Sequence, residues 1–245
     1  MEASVFRDSS LEENEDVMFR ELIAQFPDAF RDDRSTLEQL VRAQHHGLPT
    51  RLLDLSLNPL VALYFTVCEH PDEDGEVVVL NVNDERHKLF DSDTVSCTSN
   101  LSYLTFEEKE IIRGYLNKNR GNLSKIPIGV FNRRKEIKRL AQFIRVEKPY
   151  FLPNIKPIHL RQFIVVRPKQ NNIRILAQAG AFMASGVLKR LGPNGNRYIR
   201  VEKIPIQSDF KSQIKNYLDR ININHRTLFP EISYASGYIK NKYES

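Results

Sequence analysis

AQHHGLPTRLLDLSLNPLVALYFT, residues Ala43 to Thr66, places two adjacent histidines, an Arg and an Asp among closely spaced leucines. Gly47 and Pro49 predict the end of a helix, because glycine favours the left-handed conformation that follows a last turn and proline cannot continue it. Asn58-Pro59 predicts the start of the next helix, with Asn as N-cap and Pro at the first helical position. The stretch therefore predicts a helix end, a tight functional loop and a second helix.

Upstream of this stretch, two segments begin with the Ser-x-x-Glu pattern of a capping box. The first begins at Ser10 and predicts a helix to about Phe26, with apolar residues on one face. The second begins at Ser35 and predicts the helix that ends at Gly47.

Downstream, residue type separates strands from helices. Glu76 to Val82 is rich in β-branched valine and predicts a central strand, and Thr94 to Thr98 predicts a short strand. Thr105 starts a third capping box and a helix. Arg133 to Val146 predicts an amphipathic basic helix.

The second half of the chain is predicted to be richer in strands, at Leu160 to Val166, Ile173 to Gln178 and Tyr198 to Ile206. It contains no Gly-rich dinucleotide motif and no phosphate-binding GK[ST] loop. We predict an α+β fold, a single domain over residues 1–245 with an early helical layer and a mixed or antiparallel sheet.

Composition sets the class of protein. The 245 residues are 41% hydrophobic and carry a net charge of +5, which permits a polyanionic partner without requiring one. No apolar run is long enough to span a bilayer, and the acidic N-terminus is not a signal peptide. Cys68 and Cys97 are the two cysteines, which is typical of a reducing compartment. We predict a cytoplasmic protein without a membrane partner, and the oligomeric state stays open.

His45 and His46 are candidate catalytic residues, because imidazole titrates near neutral pH. They are predicted to act as an acid, a base or a ligand-orienting pair. Alternatively, one of them bonds carbonyl groups left free at the helix end. The sequence shows no further ligands at metal-site spacing, so no metal is predicted.

Arg51 and Asp54 lie three residues apart, separated by two leucines. Charges in apolar surroundings need a partner. Arg51 is predicted to hold a phosphate or carboxylate, with Asp54 orienting it or a histidine. The alternative is an internal Arg51–Asp54 salt bridge that braces the loop.

Five further residues each have a structural and a functional interpretation. Gln178, at the predicted strand end, either aligns a ribose hydroxyl or satisfies backbone groups. Thr50 contacts a ligand or the loop, and Asn58 is an N-cap or a ligand contact. Tyr64 packs in the core or meets the ligand, and Arg174 faces the same cleft or solvent.

The block from Gln44 to Pro59 resembles the FRG-domain family, which shares a Q-H-x-G-L-P-T-R-L-L-D-x-[ST]-x-N-P pattern. Four other segments resemble the same family, which extends the resemblance over nearly the whole chain: VFRD at Val5 to Asp8, DGEVVVLNV at Asp74 to Val82, NNIRILAQAGAF at Asn171 to Phe182 and INHRTLFPEI at Ile223 to Ile232.

One departure from the family concerns its Phe/Tyr-Arg-Gly motif. That motif is expected upstream of the segment matched here by VFRD, and Phe6-Arg7-Asp8 has Asp where Gly is expected. We therefore expect this chain to lack it.

The family's motif order is similar to that of ADP-ribosyltransferase-like domains. That similarity implies a cleft that binds NAD, as co-substrate, or another nucleotide. On that similarity Thr50 to Asp54 is the second motif of the transferases, and Gln178 lies near the third. Together with the candidates above, the predicted catalytic residues are His45, His46, Arg51, Asp54 and Gln178, and the predicted nucleotide contacts are Thr50, Arg51, Asn58 and Tyr64. The similarity further implies that the protein is a phage-defence or toxin-type effector, or a degenerate relative of the transferases.

Two alternatives belong to other classes. One is a binding module without catalysis, for protein or for nucleic acid through Arg133, Arg134 and Lys138. The other is a hydrolase that depends on the histidine pair.

Overall fold

The computed structural model describes residues 1–170 and 172–230 of the chain. The α-helices are α1 (Ser9–Glu13), α2 (Glu15–Gln25), α3 (Pro27–Phe30), α4 (Thr36–His45), α5 (Pro59–Val67), α6 (Asp93–Ser99), α7 (Phe106–Lys118), α8 (Ile128–Asn132), α9 (Lys135–Glu147), α10 (Pro157–Leu160), α11 (Ile173–Ala177), α12 (Ser208–Arg220) and α13 (His225–Leu228). The β-strands are β1 (Leu52–Ser56), β2 (Gly75–Val82), β3 (His87–Leu89), β4 (Phe163–Arg167), β5 (Gly180–Ser185), β6 (Gly195–Asn196) and β7 (Ile199–Ile206).

The strands form two sheets. A four-stranded sheet has the order β1-β5-β4-β3, in which β3 and β4 are parallel and β4 and β5 antiparallel. A three-stranded antiparallel sheet has the order β2-β7-β6. The predicted α+β class, with mixed and antiparallel sheet, is confirmed.

The chain forms two compact units. Unit 1 comprises residues 1–53, 84–168 and 182–193, and unit 2 comprises residues 54–83, 169–181 and 194–245. The chain passes repeatedly from one unit to the other, so no linker marks a boundary in the sequence. That the two units form a single domain stays a prediction.

Several predicted helix starts are confirmed because they depend on local hydrogen bonds. The Ser35 side chain accepts a hydrogen bond from the N–H of Glu38 at the start of α4. Thr105 and Glu108 form the reciprocal capping box of α7. The first predicted helix differs, because Asp8 rather than Ser10 is its cap and the helix breaks at Asn14, between α1 and α2.

Two predicted strands are helices. Thr94 to Thr98 lies in α6, where the Ser92 side chain accepts a hydrogen bond from the N–H of Val95. Ile173 to Gln178 forms α11 and its C-cap, and the Asn172 side chain caps the N-terminus. In both segments a side-chain cap and packing override the β propensity of Thr, Val and Ile, which depends strongly on context.

Two further predictions about strands are wrong. The predicted central strand, β2, lies at the edge of the three-stranded sheet. The predicted loop between α4 and α5 contains β1, whose first residue, Leu52, is fully buried. Leucine has only a modest β propensity, so pairing within the sheet, rather than residue type, determines this strand.

Each unit has its own apolar core. In unit 1, α6, α7, α8 and α9 bury a common cluster that includes Leu101, Ile112, Phe131 and Leu140. In unit 2, α5 packs with α12 and α13 through Val61, Tyr64, Val67, Leu218 and Leu228.

In the part of the chain that the structure describes, no helix has the length and hydropathy needed to cross a bilayer. Asn171 and residues 231–245 lie outside that part, and with them one residue of the segment beginning at Asn171 and the last two of the segment ending at Ile232.

Candidate functional site

Gly47 ends α4 in the predicted way. Its φ angle of 90° lies in the left-handed region, and its N–H donates to the Gln44 carbonyl at 3.0 Å. The N–H of Leu48 donates to the Ala43 carbonyl at 3.0 Å. These two bonds form a Schellman motif, which satisfies carbonyls of the last turn.

The two histidines follow from this helix end. His45 is the last residue of α4 and half-buried, and His46 is exposed. Their rings meet edge to face, with centroids 5.1 Å apart. Both therefore lie in unit 1, at the end of α4, and their catalytic role stays a prediction.

Thr50 is buried in unit 1, where hydrogen bonds join it to neighbouring segments. Its hydroxyl donates to the Gln44 side chain and accepts from the N–H of Leu52 at 3.2 Å. Its carbonyl accepts from the N–H of Val5 at 3.2 Å. These bonds fix the chain at the start of β1, which favours the structural interpretation of Thr50.

Arg51 lies in the interior of unit 1, with 1% of its surface exposed. Its Nε and Nη2 donate to the two carboxylate oxygens of Glu15 at 2.8 and 2.6 Å. Its Nη1 donates to the carbonyls of Ser185 and Gly186 at 3.3 and 3.4 Å. Lys109 donates to the same carboxylate at 2.7 Å. Protein groups thus surround the Arg51 guanidinium, which leaves it no access to a ligand.

The charges of this buried cluster, Glu15, Arg51 and Lys109, determine the ionisation of Glu15. Burial alone would raise the pKa of Glu15, but Arg51 and Lys109 outweigh it and lower the pKa to about 2. Burial also lowers the pKa of Lys109, against the opposing charge of Glu15. A single carboxylate therefore balances two buried cations.

The expected partner of Arg51 was Asp54, and the structure gives Glu15 instead. Asp54 lies in β1 and is exposed, whereas Arg51, immediately before that strand, is buried. Successive side chains of a strand point to opposite faces, so residues three apart diverge. The predicted brace assumed a loop, and the strand separates its two members.

Glu15 and Lys109 were missed in the sequence, although both leave a signal there. Glu15 lies four residues before the buried Phe19 in α2. Lys109 lies three and seven residues before the buried Ile112 and Leu116 in α7. A charged residue at a core position of an amphipathic helix indicates a buried ion pair.

Gln178 belongs to unit 2, where it is the C-cap of α11 rather than a strand end. Its side-chain Nε2 donates to the Leu228 carbonyl at 3.0 Å. Its own carbonyl accepts from the Ser56 hydroxyl at 2.8 Å. Gln178 therefore joins β1, α11 and α13, three elements that are far apart in the sequence.

Asn58 and Tyr64 also lie in unit 2, in structural positions. The Asn58 side chain accepts from the N–H of Leu60 at 3.0 Å, which confirms the predicted N-cap. Tyr64 is 3% exposed in the core of the unit, and burial raises its pKa to about 12. A direct contact between Tyr64 and a ligand is therefore not supported.

Phe229 is at the centre of a group of rings and charges beside Gln178. The ring of His225 stacks on it with centroids 4.7 Å apart, and the ring of Phe65 meets it edge-on at 5.9 Å. The guanidinium carbon of Arg174 lies 4.7 Å from the centre of the same ring. We call Phe65, Arg174, Gln178, His225 and Phe229 the Phe229 cluster.

Arg174 is the cation of this cluster, and its guanidinium has no hydrogen-bond or ion-pair partner among residues 1–170 and 172–230. The side chain is half-buried. A cation–π contact of this kind engages the face of the guanidinium and uses none of its N–H donors, which therefore have no partner within the described residues. The sequence left the direction of Arg174 open, because the segment was interpreted as a strand.

In the residues that the structure describes, no group of three or more His, Cys, Asp or Glu side chains could hold a metal ion.

Residues 1–75 match the family model of the FRG domain. The match includes the whole block from Gln44 to Pro59, and it supports the predicted resemblance over that part of the chain. No curated protein and no solved structure matches the chain. The resemblance over residues 76–245 and the likeness to ADP-ribosyltransferases stay predictions.

Proposed function

We propose that this FRG-like protein binds a nucleotide at the Phe229 cluster of unit 2. The observation that carries the proposal is the guanidinium of Arg174, which lies 4.7 Å from the centre of the Phe229 ring and donates to no group among residues 1–170 and 172–230. A planar guanidinium is the preferred partner of phosphate, because it donates two parallel hydrogen bonds.

The surroundings of Arg174 favour a nucleotide over a small anion. Phe65, which meets Phe229 edge-on, is 40% exposed, and α11 itself exposes Ile173 and Leu176, at 62% and 51%. Ligand sites combine such apolar and aromatic surface with a few fixed polar groups. A phosphate bound by Arg174 would place an attached base or ribose against this apolar surface.

Gln178 supplies a fixed polar group. Its amide nitrogen is bonded to the Leu228 carbonyl, which orients the side chain, and no described group donates to its Oε1. An oriented amide oxygen accepts from a hydroxyl, as the earlier prediction for a ribose requires. We therefore include a ribose contact of Gln178 in the proposal.

Calorimetric titration with NAD, ADP and inorganic phosphate tests the proposal. We expect both nucleotides to bind more tightly than phosphate alone. Arg174→Ala should weaken nucleotide binding at least tenfold, which is about 1.4 kcal/mol. The nucleotide affinity of Arg174→Lys should lie between those of the unchanged protein and Arg174→Ala, because lysine keeps the charge and loses the paired donors.

Arg220→Ala is the matched control, because Arg220 is also in unit 2 and lies over a ring, that of Tyr217, at 5.7 Å. It should bind nucleotides as the unchanged protein does. The proposal fails if no nucleotide binds, or if Arg220→Ala loses as much affinity as Arg174→Ala.

Transfer chemistry on NAD is a finer proposal that rests on the likeness to ADP-ribosyltransferases. It expects nicotinamide release, with Gln178 near the reacting ribose of a nucleotide bound at the Phe229 cluster. The histidine pair lies in unit 1 and has no part in this step. Arg51→Ala should reduce activity only in proportion to the folded protein that remains, because Arg51 is part of the buried cluster. Binding of NAD without nicotinamide release would refute the transfer step and leave the binding site.

A further inference from the structure

The positive charge of the chain is concentrated in one segment of unit 1. Residues 118–139 contain eight Lys or Arg residues and one acidic residue, a net charge of +7, whereas the whole chain carries +5. The remaining residues are therefore slightly acidic together. A charge this localised is a feature of a particular surface rather than of the whole protein.

The two ends of this segment belong to two neighbouring helices, α7 and α9. The carboxylate of Glu108, at the start of α7, lies 3.2 Å from the Arg139 Nε in the middle of α9. Tyr115, near the end of α7, lies under the guanidinium of Arg134 at 4.3 Å. The helices are thus antiparallel neighbours, and the end of α7 lies beside the start of α9.

The cations at this end are exposed and lack counter-charges. We call the following residues the basic surface: Lys118, Arg120, Lys125, Arg133, Lys135 and Lys138, all exposed. Among residues 1–170 and 172–230, none of these six side chains forms a salt bridge. Nearby acidic groups are already engaged, Glu108 with Arg139 and Glu136 with Arg134.

The outward face of α9 continues toward exposed apolar residues. Lys135, Lys138 and Gln142 lie at helical spacing on this face, and Val146 extends it. Val146, in the last turn of α9, is 84% exposed. Beyond the helix, Tyr150 and Leu152 are 96% and 76% exposed. The basic surface lies at the start of α9 and Tyr150 follows its end, about 20 Å away along the helix. A strand that lies along α9 would contact the cations with its phosphates and reach the Tyr150 ring, on which a base can stack.

We infer that the basic surface and Tyr150 bind single-stranded nucleic acid. The cations would contact the phosphate backbone, and Tyr150 would stack on an unpaired base, which a duplex does not offer. This site lies in unit 1 and shares no residue with the Phe229 cluster. An anionic membrane is the less suitable partner, because the apolar face of α9 is buried in the core, which leaves only Val146, Tyr150 and Leu152 to insert.

Fluorescence anisotropy with a labelled single-stranded oligonucleotide of about 20 residues, as RNA and as DNA, tests the inference. Raising the salt from about 50 to about 200 mM should weaken binding strongly. The triple variant Arg133→Gln, Lys135→Gln, Lys138→Gln should bind at least tenfold more weakly. Three lost contacts should also reduce the salt slope by about 2.

The control triple variant is Arg200→Gln, Lys203→Gln, Lys215→Gln, which removes three exposed cations from unit 2. It should retain the affinity and the salt slope. An equal loss in both triple variants would overturn the assignment of the site, since general charge would then explain the binding.

Tyr150→Ala tests the single-strand assignment, and its full exposure means that folding should be unaffected. It should weaken single-strand binding about tenfold and leave binding to a matched duplex unchanged, while Tyr150→Phe should retain both. Equal affinity of the unchanged protein and Tyr150→Ala for the single strand would overturn the inference. So would binding to anionic vesicles in the absence of oligonucleotide binding.

Discussion

Glu15→Gln is the substitution that best tests whether Arg51 is structural. Glutamine has nearly the shape of glutamate, so packing around α2 should be retained. The change leaves Arg51 and Lys109 as buried cations without a counter-charge, because Glu15 is the carboxylate that both contact. Leaving a buried charge unpaired is among the most costly single changes in a protein.

The magnitude follows from the ionisation of Glu15. A folded-state pKa of about 2 against an ordinary value of 4.5 corresponds to about 3 kcal/mol of stabilisation of the folded state at neutral pH. Breaking a buried ion pair costs about 3 to 5 kcal/mol in other proteins. We therefore expect Glu15→Gln to lower the free energy of unfolding by about 3 kcal/mol or more at pH 7.

Urea denaturation at pH 7 measures this loss, with Glu13→Gln as the matched control. Glu13 is exposed in α1 and undergoes the same chemical change, so it should alter the free energy of unfolding by less than about 0.5 kcal/mol. Because the folded-state pKa of Glu15 is lowered, its contribution is complete above pH 4.5 and is lost as the pH falls toward 2. Equal stability of the two variants at pH 7 would refute the structural role of the cluster.

Two further substitutions test the backbone near the same segments. Gly186→Ala should strongly lower the yield and stability of folded protein, because the added carbon would lie 2.1 Å from the Leu160 carbonyl oxygen. The control is Gly129→Ala, whose added carbon meets nothing within 4 Å. Circular dichroism during heating compares the two variants, and equal melting temperatures would contradict the geometry. Asn58→Ala should cost about 1 kcal/mol in urea denaturation by removing the cap of α5, and Asn58→Asp should restore most of it; an Asp variant as unstable as the Ala variant would argue against capping.

The sequence predicts best where the determining interactions are local. The caps at Ser35, Asn58 and Thr105 bond groups within three residues, so the pattern contains both partners. Amphipathic spacing likewise predicts the buried face of α9, which includes Ile137 and Leu140.

The segments and residues that were wrongly predicted are those whose structure depends on contacts with residues far away in the sequence. α11 carries β-branched residues, yet it is a helix capped by Asn172 and joined to α13 through Gln178. Arg51 has its carboxylate partner 36 positions earlier in the chain, and a three-residue spacing could not indicate it. The Phe229 cluster joins α5, α11 and α13 and has no contiguous sequence pattern.

The account separates Thr50 and Arg51 of the Gln44 to Pro59 block, which are buried and stabilise the fold, from the Phe229 cluster, which we propose as the ligand site. Titration of ADP, a moiety that NAD and ATP share, into the unchanged protein, Arg174→Ala and His46→Ala tests this directly. His46 is exposed, so both variants should fold. The account predicts that Arg174→Ala loses at least tenfold in affinity and His46→Ala binds as the unchanged protein does. Loss of binding in His46→Ala with Arg174→Ala unaffected would contradict it.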